Sequence, residues 1–338
     1  MATIMDVCKL AGVSKATVSR VMNQSEQVKP TTRQKVEQAM AQLNYRPNSL
    51  AQALALNSSN SIGLVLSDFD GHYFGQLLKH ASICAENMDK QLLIADGHHS
   101  AQGEKDAISS LVDKKCDVII VYGRKLSQDD AFALKQNHPI PIIHVGRLFP
   151  AEIGFSIGFD QSSAVELALS HLTSLGHTSI SYLGPKPHTM TTQARLESYC
   201  HFMQINHLSA HVLDADFKLN SGYQSMLNFL NQTPKKATYP TAILAASDDI
   251  AIGCLRACDE FGLNVPFDIS VISIDNLQMC EFVRPQLSSI DIPVIQMTER
   301  VMQVAQMILQ GAPTPDPEML TGQLFVRHST APAKSNKA

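Results

Sequence analysis

The 338-residue chain has no run of ~18 uninterrupted apolar residues, so no membrane span is expected. Its first apolar positions are spaced as on a helix and interrupted by Asp6 and Lys9, which does not resemble a secretory leader. The expected compartment is therefore the cytoplasm. Cys8, Cys84, Cys116, Cys200, Cys254, Cys258 and Cys280 are odd in number and scattered, as suits reduced thiols better than disulfides. Cys254 and Cys258 share a helix face with no histidine pair nearby and read as core. His98 and His99 lack further ligands at suitable spacing and read as a solvated loop or a polar cleft wall. Neither metal nor cofactor is expected. Gly-x-Gly-x-x-Gly and Gly-x4-Gly-Lys-Ser/Thr are both missing. Asp129-Asp130 and Asp248-Asp249 are sequence neighbours that project differently and make poor catalytic dyads. An enzyme is not expected.

What is present begins with a charge asymmetry. Residues 1–60 hold seven Lys/Arg against three acids, a net +4, whereas the whole chain is −4, so residues 61–338 carry −8. A basic head on an acidic body points to a polyanion met by the head alone. Within that head, Thr3 followed by Asp6 has the form of a helix start. Gly12 sits where a helix must stop and turn, and Ser14 caps a second helix from Lys15 to about Met22. Val7, Leu10, Val13, Val18 and Val21 are the expected wedge between the two helices. Lys15, Ala16, Ser19, Arg20 and Asn23 face outward, short or basic, as suits a helix lying in a major groove. A third helix is expected from about Thr31, with Gln34 completing a capping box and Val36, Ala39, Met40 and Leu43 as its apolar stripe.

Beyond residue 60 short apolar runs recur at Ile62–Leu66, Leu92–Ala95, Val118–Val121, Ile140–Val145, Ile180–Leu183, Ala242–Ala246 and Ile269–Ile274. Helical patterns alternate with them at Phe74–Met88, Ala101–Lys114, Ser162–Leu175, Leu196–Gln204 and Ile250–Phe261. The alternation predicts α/β architecture with doubly wound parallel sheets. So long a body exceeds one comfortable core, so two subdomains are expected.

The string Thr3–Asn23, with Ala11-Gly12-Val13-Ser14 and Thr17-Val18-Ser19-Arg20-Val21, resembles the lactose/galactose repressor family of bacterial transcription regulators. The likeness continues through Tyr45-Arg46-Pro47-Asn48 and Leu50–Leu54. It is most marked toward the galactose- and β-glucoside-type repressors at Leu92–Gly97, Gly176-His177 and Val283-Arg284-Pro285. The resemblance implies a three-helix headpiece at 1–47 and a hinge helix with linker at 48–60. A two-lobed periplasmic-binding-protein-like core would follow. Its first lobe would be 61–160 plus 292–322, its second 161–291 plus 323–330, and 331–338 a disordered tail. The crossovers fall near Asp160, Asp291 and Thr321–Leu324. The hinge is too short to be stable alone and would order when paired with its dimer mate on DNA. Leu54 would then be the minor-groove wedge at the centre of a two-fold operator; the other reading of Leu54 is a core leucine.

For the DNA contacts, Lys15, Ala16 and Arg20 are the base-reading candidates, and Thr17, Ser19, Asn23 and Tyr45 suit phosphates. Lys15 departs from the small or aromatic residues common in relatives, which bears on the outer half-site. For the effector, a sugar needs aromatic faces and charged or amide groups bonding paired hydroxyls. The loop around Asp68–Phe74 resembles the family's first ligand loop. Arg124 and Arg147 follow strands and read either as ligand contacts or as solvated charges. Arg195 and Asp275 match the family's effector-binding arginine and aspartate. Phe217 matches its stacking aromatic, and both Phe74 and Phe217 also read as core. Ser247-Asp248-Asp249 stands where relatives show Asn-Asp. A hydroxyl cannot reproduce an amide, so Ser247 reads as a cap, leaving Asp248 or Asp275 to meet the ligand.

The expected function is a dimeric repressor, released from a pseudo-palindromic operator by a small sugar or sugar derivative between the lobes. The tail lacks leucine heptads, favouring dimers over tail-linked tetramers. The competing classes are an α/β sugar-processing enzyme with an accessory DNA-binding head and a plain sugar-binding receptor.

Overall fold

The computed structural model describes residues 2–22, 27–45, 58–67, 69, 71–123, 125–233 and 239–334. It divides into two units, Met1–Asn60 and Ser61–Ala338.

The first unit contains α1 (Ile4–Ala11), α2 (Lys15–Met22) and α3 (Pro30–Gln42). A full capping box starts α1: the Asp6 amide donates to Thr3 Oγ1 at 3.4 Å, and the Thr3 amide donates to Asp6 Oδ2 at 2.9 Å. Those bonds hold the Asp6 carboxyl below its usual range. Gly12 ends the helix at φ +65°, a left-handed conformation in which a side chain would be strained. Ser14 Oγ then accepts from the Thr17 amide at 3.2 Å to start α2. Val7, Cys8, Val18, Val21, Val36 and Ala39 form the buried centre. Leu10 does not join them: it is 49% exposed, because the stripe of α1 runs Ile4, Val7, Cys8, Ala11. The predicted capping box of α3 does not form either. Pro30, whose missing N–H suits a first helical position, starts the helix one residue early, with Lys29 as an N-cap that makes no side-chain bond.

The second unit opens with β1 (Ser61–Leu66), α4 (Gly71–Asn87), β2 (Gln91–Asp96), α5 (Ala101–Asp113), β3 (Val118–Val121), α6 (Gln128–Asn137), β4 (Ile142–Val145) and β5 (Ser156–Phe159). It continues with α7 (Gln161–Ser174), β6 (Ile180–Gly184), α8 (Met190–Ile205), β7 (His211–Asp214), α9 (Leu219–Gln232), β8 (Ala242–Ala245), α10 (Asp248–Glu260) and β9 (Ser270–Asp275). A short 3-10 helix (Gln278–Glu281), β10 (Ser288–Asp291), α11 (Val294–Leu309), β11 (Glu318–Leu320) and β12 (Leu324–Phe325) complete it.

Two six-stranded sheets result, ordered β11-β5-β4-β3-β1-β2 and β12-β10-β9-β8-β6-β7. All pairings are parallel except β10 with β12. Strands such as β1 and β8 are buried throughout, as a sheet covered by helices on both faces requires. The chain moves from the first sheet to the second after β5, returns to pack α11 on α4, and passes back between β11 and β12. In the second lobe α9 and α10 meet backbone to backbone. A Cβ on Gly253 would lie 2.1 Å from the Leu219 carbonyl oxygen, and one on Gly222 2.3 Å from that of Ile250.

Candidate nucleic-acid interface and effector cleft

On α2 the apolar Val18 and Val21 turn into the headpiece, which leaves Lys15, Ala16 and Arg20 exposed and Thr17 and Ser19 half-buried. The outward face thus carries two cations separated by small side chains, a profile that lets a helix backbone approach base edges. The Thr17 hydroxyl lies 3.0 Å from Ser14 Oγ. Tyr45 is half-buried against the headpiece core, and its amide donates to the Met40 carbonyl at 2.9 Å. Asn23, Leu54 and the expected hinge helix lie outside the described residues, as does Arg124.

The second-lobe wall of the cleft is tightly built. Arg195, in the second turn of α8, is 3% exposed. Its Nε donates to Gln161 Oε1 at 2.7 Å, its Nη1 donates to the Ala246 carbonyl, and its Nη2 stands 3.7 Å from Asp275 Oδ1. The guanidinium also lies 5.9 Å from the centre of the half-buried Phe217 ring. Asp275 ends β9 at φ +127°, a backbone state a β-carbon resists. Burial pushes its carboxyl up to about 8; Arg195 opposes this, and Asp248 and Asp249 reinforce it. An acid in that range can be donor or acceptor, as a hydroxyl-bearing ligand requires.

Asp248 corrects the sequence reading. It is 0% exposed, and its carboxylate already accepts from Ser273 Oγ (2.5 Å), Ser289 Oγ (2.7 Å), the Leu277 amide (2.5 Å) and the Cys280 thiol (3.0 Å). It is a strut behind the cleft, tying α10 to β9, β10 and the 3-10 helix. Burial raises its pKa, against those hydrogen bonds. Ser247 is the N-cap of α10, its Oγ accepting from the Ile250 amide at 3.4 Å.

The first-lobe wall is looser. Phe74 is 6% exposed, edge-on to Tyr73 at 5.1 Å and to Tyr122 at 5.6 Å, so its ring is an underlayer rather than a stacking face. Tyr73 and Tyr122 hydroxyls lie 2.9 Å apart. Arg147 rests 4.2 Å above the Phe149 ring and donates from Nη1 to the Leu126 carbonyl at 2.6 Å. A small pocket joins Tyr122, Gly123, Gly146 and Arg147 to Thr189, Met190 and Thr191 of the other lobe. At its rim Lys125 Nζ donates across to the His188 carbonyl at 2.8 Å.

Sequence reasoning missed Gln161, Tyr122, the 189–191 turn and Glu104. Glu104 is fully buried and accepts from Ser67 Oγ (3.4 Å) and from the Lys125 (3.3 Å) and Leu126 (3.0 Å) amides, holding the loops after β1 and β3 together. Among the described residues no group of three or more His, Cys, Asp or Glu is arranged for a metal ion, and no helix is long and apolar enough to cross a membrane. His98 and His99 stand in an exposed turn.

A helix–turn–helix head joined to a two-sheet binding core with a cleft between its halves defines a ligand-responsive DNA-binding regulator. Comparison agrees. Residues 3–48 match the family described as bacterial regulatory proteins, lacI family, and residues 169–330 match the periplasmic binding protein-like domain. The chain is 34% identical over 334 residues to the HTH-type transcriptional regulator AscG of Escherichia coli K12, covering 97% of this chain and 98% of that one. It is 30% identical over 335 residues to GalR of the same organism, covering 98% and 96%. A crystal structure of the lac repressor dimer bound to operator and the anti-inducer ONPF superposes with a TM-score of 0.86 at 29% identity, covering 98% and 99%. The chain belongs to the lacI family of bacterial regulatory proteins and is a DNA-binding transcriptional repressor.

Proposed function

We propose that this repressor controls carbohydrate-utilisation genes, gripping a pseudo-palindromic operator as a homodimer in the cytoplasm and letting go when a small sugar fills the interlobe cleft. The observation that carries the reading is Arg195 beside Asp275. This buried donor–acceptor pair stands next to the Phe217 ring, at the carboxyl ends of the strands, where open α/β sheets bind ligands. Such a pair bonds neighbouring hydroxyls while the ring covers C–H surface.

In this reading the roles divide by side-chain chemistry. Lys15, Ala16 and Arg20 read base edges, while Thr17, Ser19, Asn23 and Tyr45 meet phosphates. Leu54 is the central wedge. Arg195, Asp275 and Phe217 hold the sugar from the second lobe, with Arg147 and Arg124 reaching it from the first, whereas Ser247 and Asp248 only shape the wall. Closure of one lobe on the other moves the paired heads, a coupling of about 1–3 kcal/mol in such systems. The relatives are named transcriptional regulators. The chain therefore binds its sugar without turning it over.

The test selects duplexes from a randomised pool with the full chain, then titrates the selected operator against a panel of galactosides and β-glucosides. Operator affinity falls steeply with salt, and at least one sugar lowers it about 5- to 150-fold and is recovered unchanged. Release by no sugar, or a sugar recovered as product, contradicts the proposal.

A further inference from the structure

The two described arginines of the cleft are compensated differently. Arg195 has the Asp275 carboxyl group beside it and two further acceptors. Arg147 has none of that kind. Its pocket is lined by Tyr122, Gly123, Gly146, Thr189, Met190 and Thr191, with no acid among them. Its single hydrogen bond goes to the Leu126 carbonyl, and its buried Nε has no partner among the described residues. Among the described residues the negative group whose field reaches it is Glu104, but that carboxylate is engaged with Ser67 and the Lys125 and Leu126 amides. Burial accordingly depresses the pKa of Arg147, with Glu104 only partly opposing. The neighbouring cation, Lys125, is turned to the His188 carbonyl and adds positive potential at the rim.

A half-buried guanidinium without a counter-charge is costly. A neutral hydroxyl offset by no acceptor leaves most of that cost in place. A carboxylate or phosphate removes it with charge-assisted, two-pronged bonds. We propose that the first-lobe half of the cleft receives an anionic substituent, so that the effector is a phosphorylated or acidic sugar. Its hydroxyls lie on Arg195 and Asp275 and its anionic group lies on Arg147. The inference rests on the reading of the cleft as a sugar site and narrows it to one class of sugar.

The experiment is calorimetric titration of the full chain with inorganic phosphate, glucose, glucose 6-phosphate, glucuronate, galactose and galactose 6-phosphate. The comparison of phosphate with carboxylate sugars tells which anion is preferred. At least one anionic sugar binds about ten- to a hundredfold tighter than its neutral parent. Arg147→Gln erases that gap and Arg147→Lys, which keeps the charge, restores part of it. Thermal midpoints of both variants identify any loss of fold, and the wild-type comparison stands without them. Parents that bind as tightly as their anionic forms, a gap that persists in Arg147→Gln, or no binding of any anionic probe overturns the inference. Tight neutral sugars that release the operator would overturn it while leaving sugar control intact; no operator release by any sugar would count against both.

Discussion

On the second-lobe wall of the cleft, Arg195 and Asp248 are matched before any ligand arrives. Arg195 is tied to Gln161 and Ala246 and faces Asp275, and Asp248 behind it receives four hydrogen bonds. On the first-lobe wall, Arg147 makes a single hydrogen bond and leaves its Nε without a partner among the described residues. The contrast separates stability from selectivity. A saturated network fixes geometry and is expensive to disturb, whereas an under-compensated group contributes little to the fold and discriminates among what it meets.

Substitution at Asp248 gives the largest expected effect. Asp248→Ala strips a buried acceptor from four donors and destabilises the chain by on the order of 3 kcal/mol or more. By contrast Arg147→Gln shifts the thermal midpoint little, and equal losses in the two variants would erase the distinction between the walls. A smaller change is expected at the helix contact beneath the same wall. Gly253→Ala forces a methyl against the Leu219 carbonyl, at a cost of about 1–3 kcal/mol in urea denaturation. A normal midpoint there would mean that α9 and α10 can separate freely.

The smallest effect is a pH trend. Because folding raises the Asp275 pKa from 3.8 to about 8, the folded chain holds a proton that the unfolded chain has already lost across that window. This contribution to stability is intact below the lower value and is lost as pH climbs to the upper one. Asp275→Asn cannot lose the proton, so it gains stability relative to wild type between pH 5 and pH 8. Parallel pH curves for the two proteins would show that Arg195 keeps the carboxylate ionised.

Where the fold follows from short-range chemistry, the sequence reveals it. Thr3 with Asp6, Gly12 and Ser14 each mark a helix end within a few residues, and the structure has all three. Leu10 misleads because an apolar side chain one position off the stripe of α1 reads like its neighbours. The edge strand β7, His211–Asp214, is largely exposed and carries no apolar run. Helix α9 carries the weak helix formers Asn220, Ser221 and Gly222 in its first turn, and it holds because Gly222 and Gly253 let it lie on α10. For the site, Arg195 and Asp275 were legible through longer matching strings, and they do meet. The burial of Asp248 was not legible, since Ser273, Ser289 and Cys280 reach it from elements 25 to 41 residues away. Glu104 likewise reads as an ordinary acid in a first helical turn until the loops that fold over it are in place.

The most direct test of the account is the ratio of operator affinities with and without effector, measured by fluorescence anisotropy for wild type and Arg195→Ala at fixed salt. The account predicts a ratio of at least about 5 for wild type and a ratio of one for the variant. A variant that still lets go of the operator at the wild-type effector concentration would contradict it.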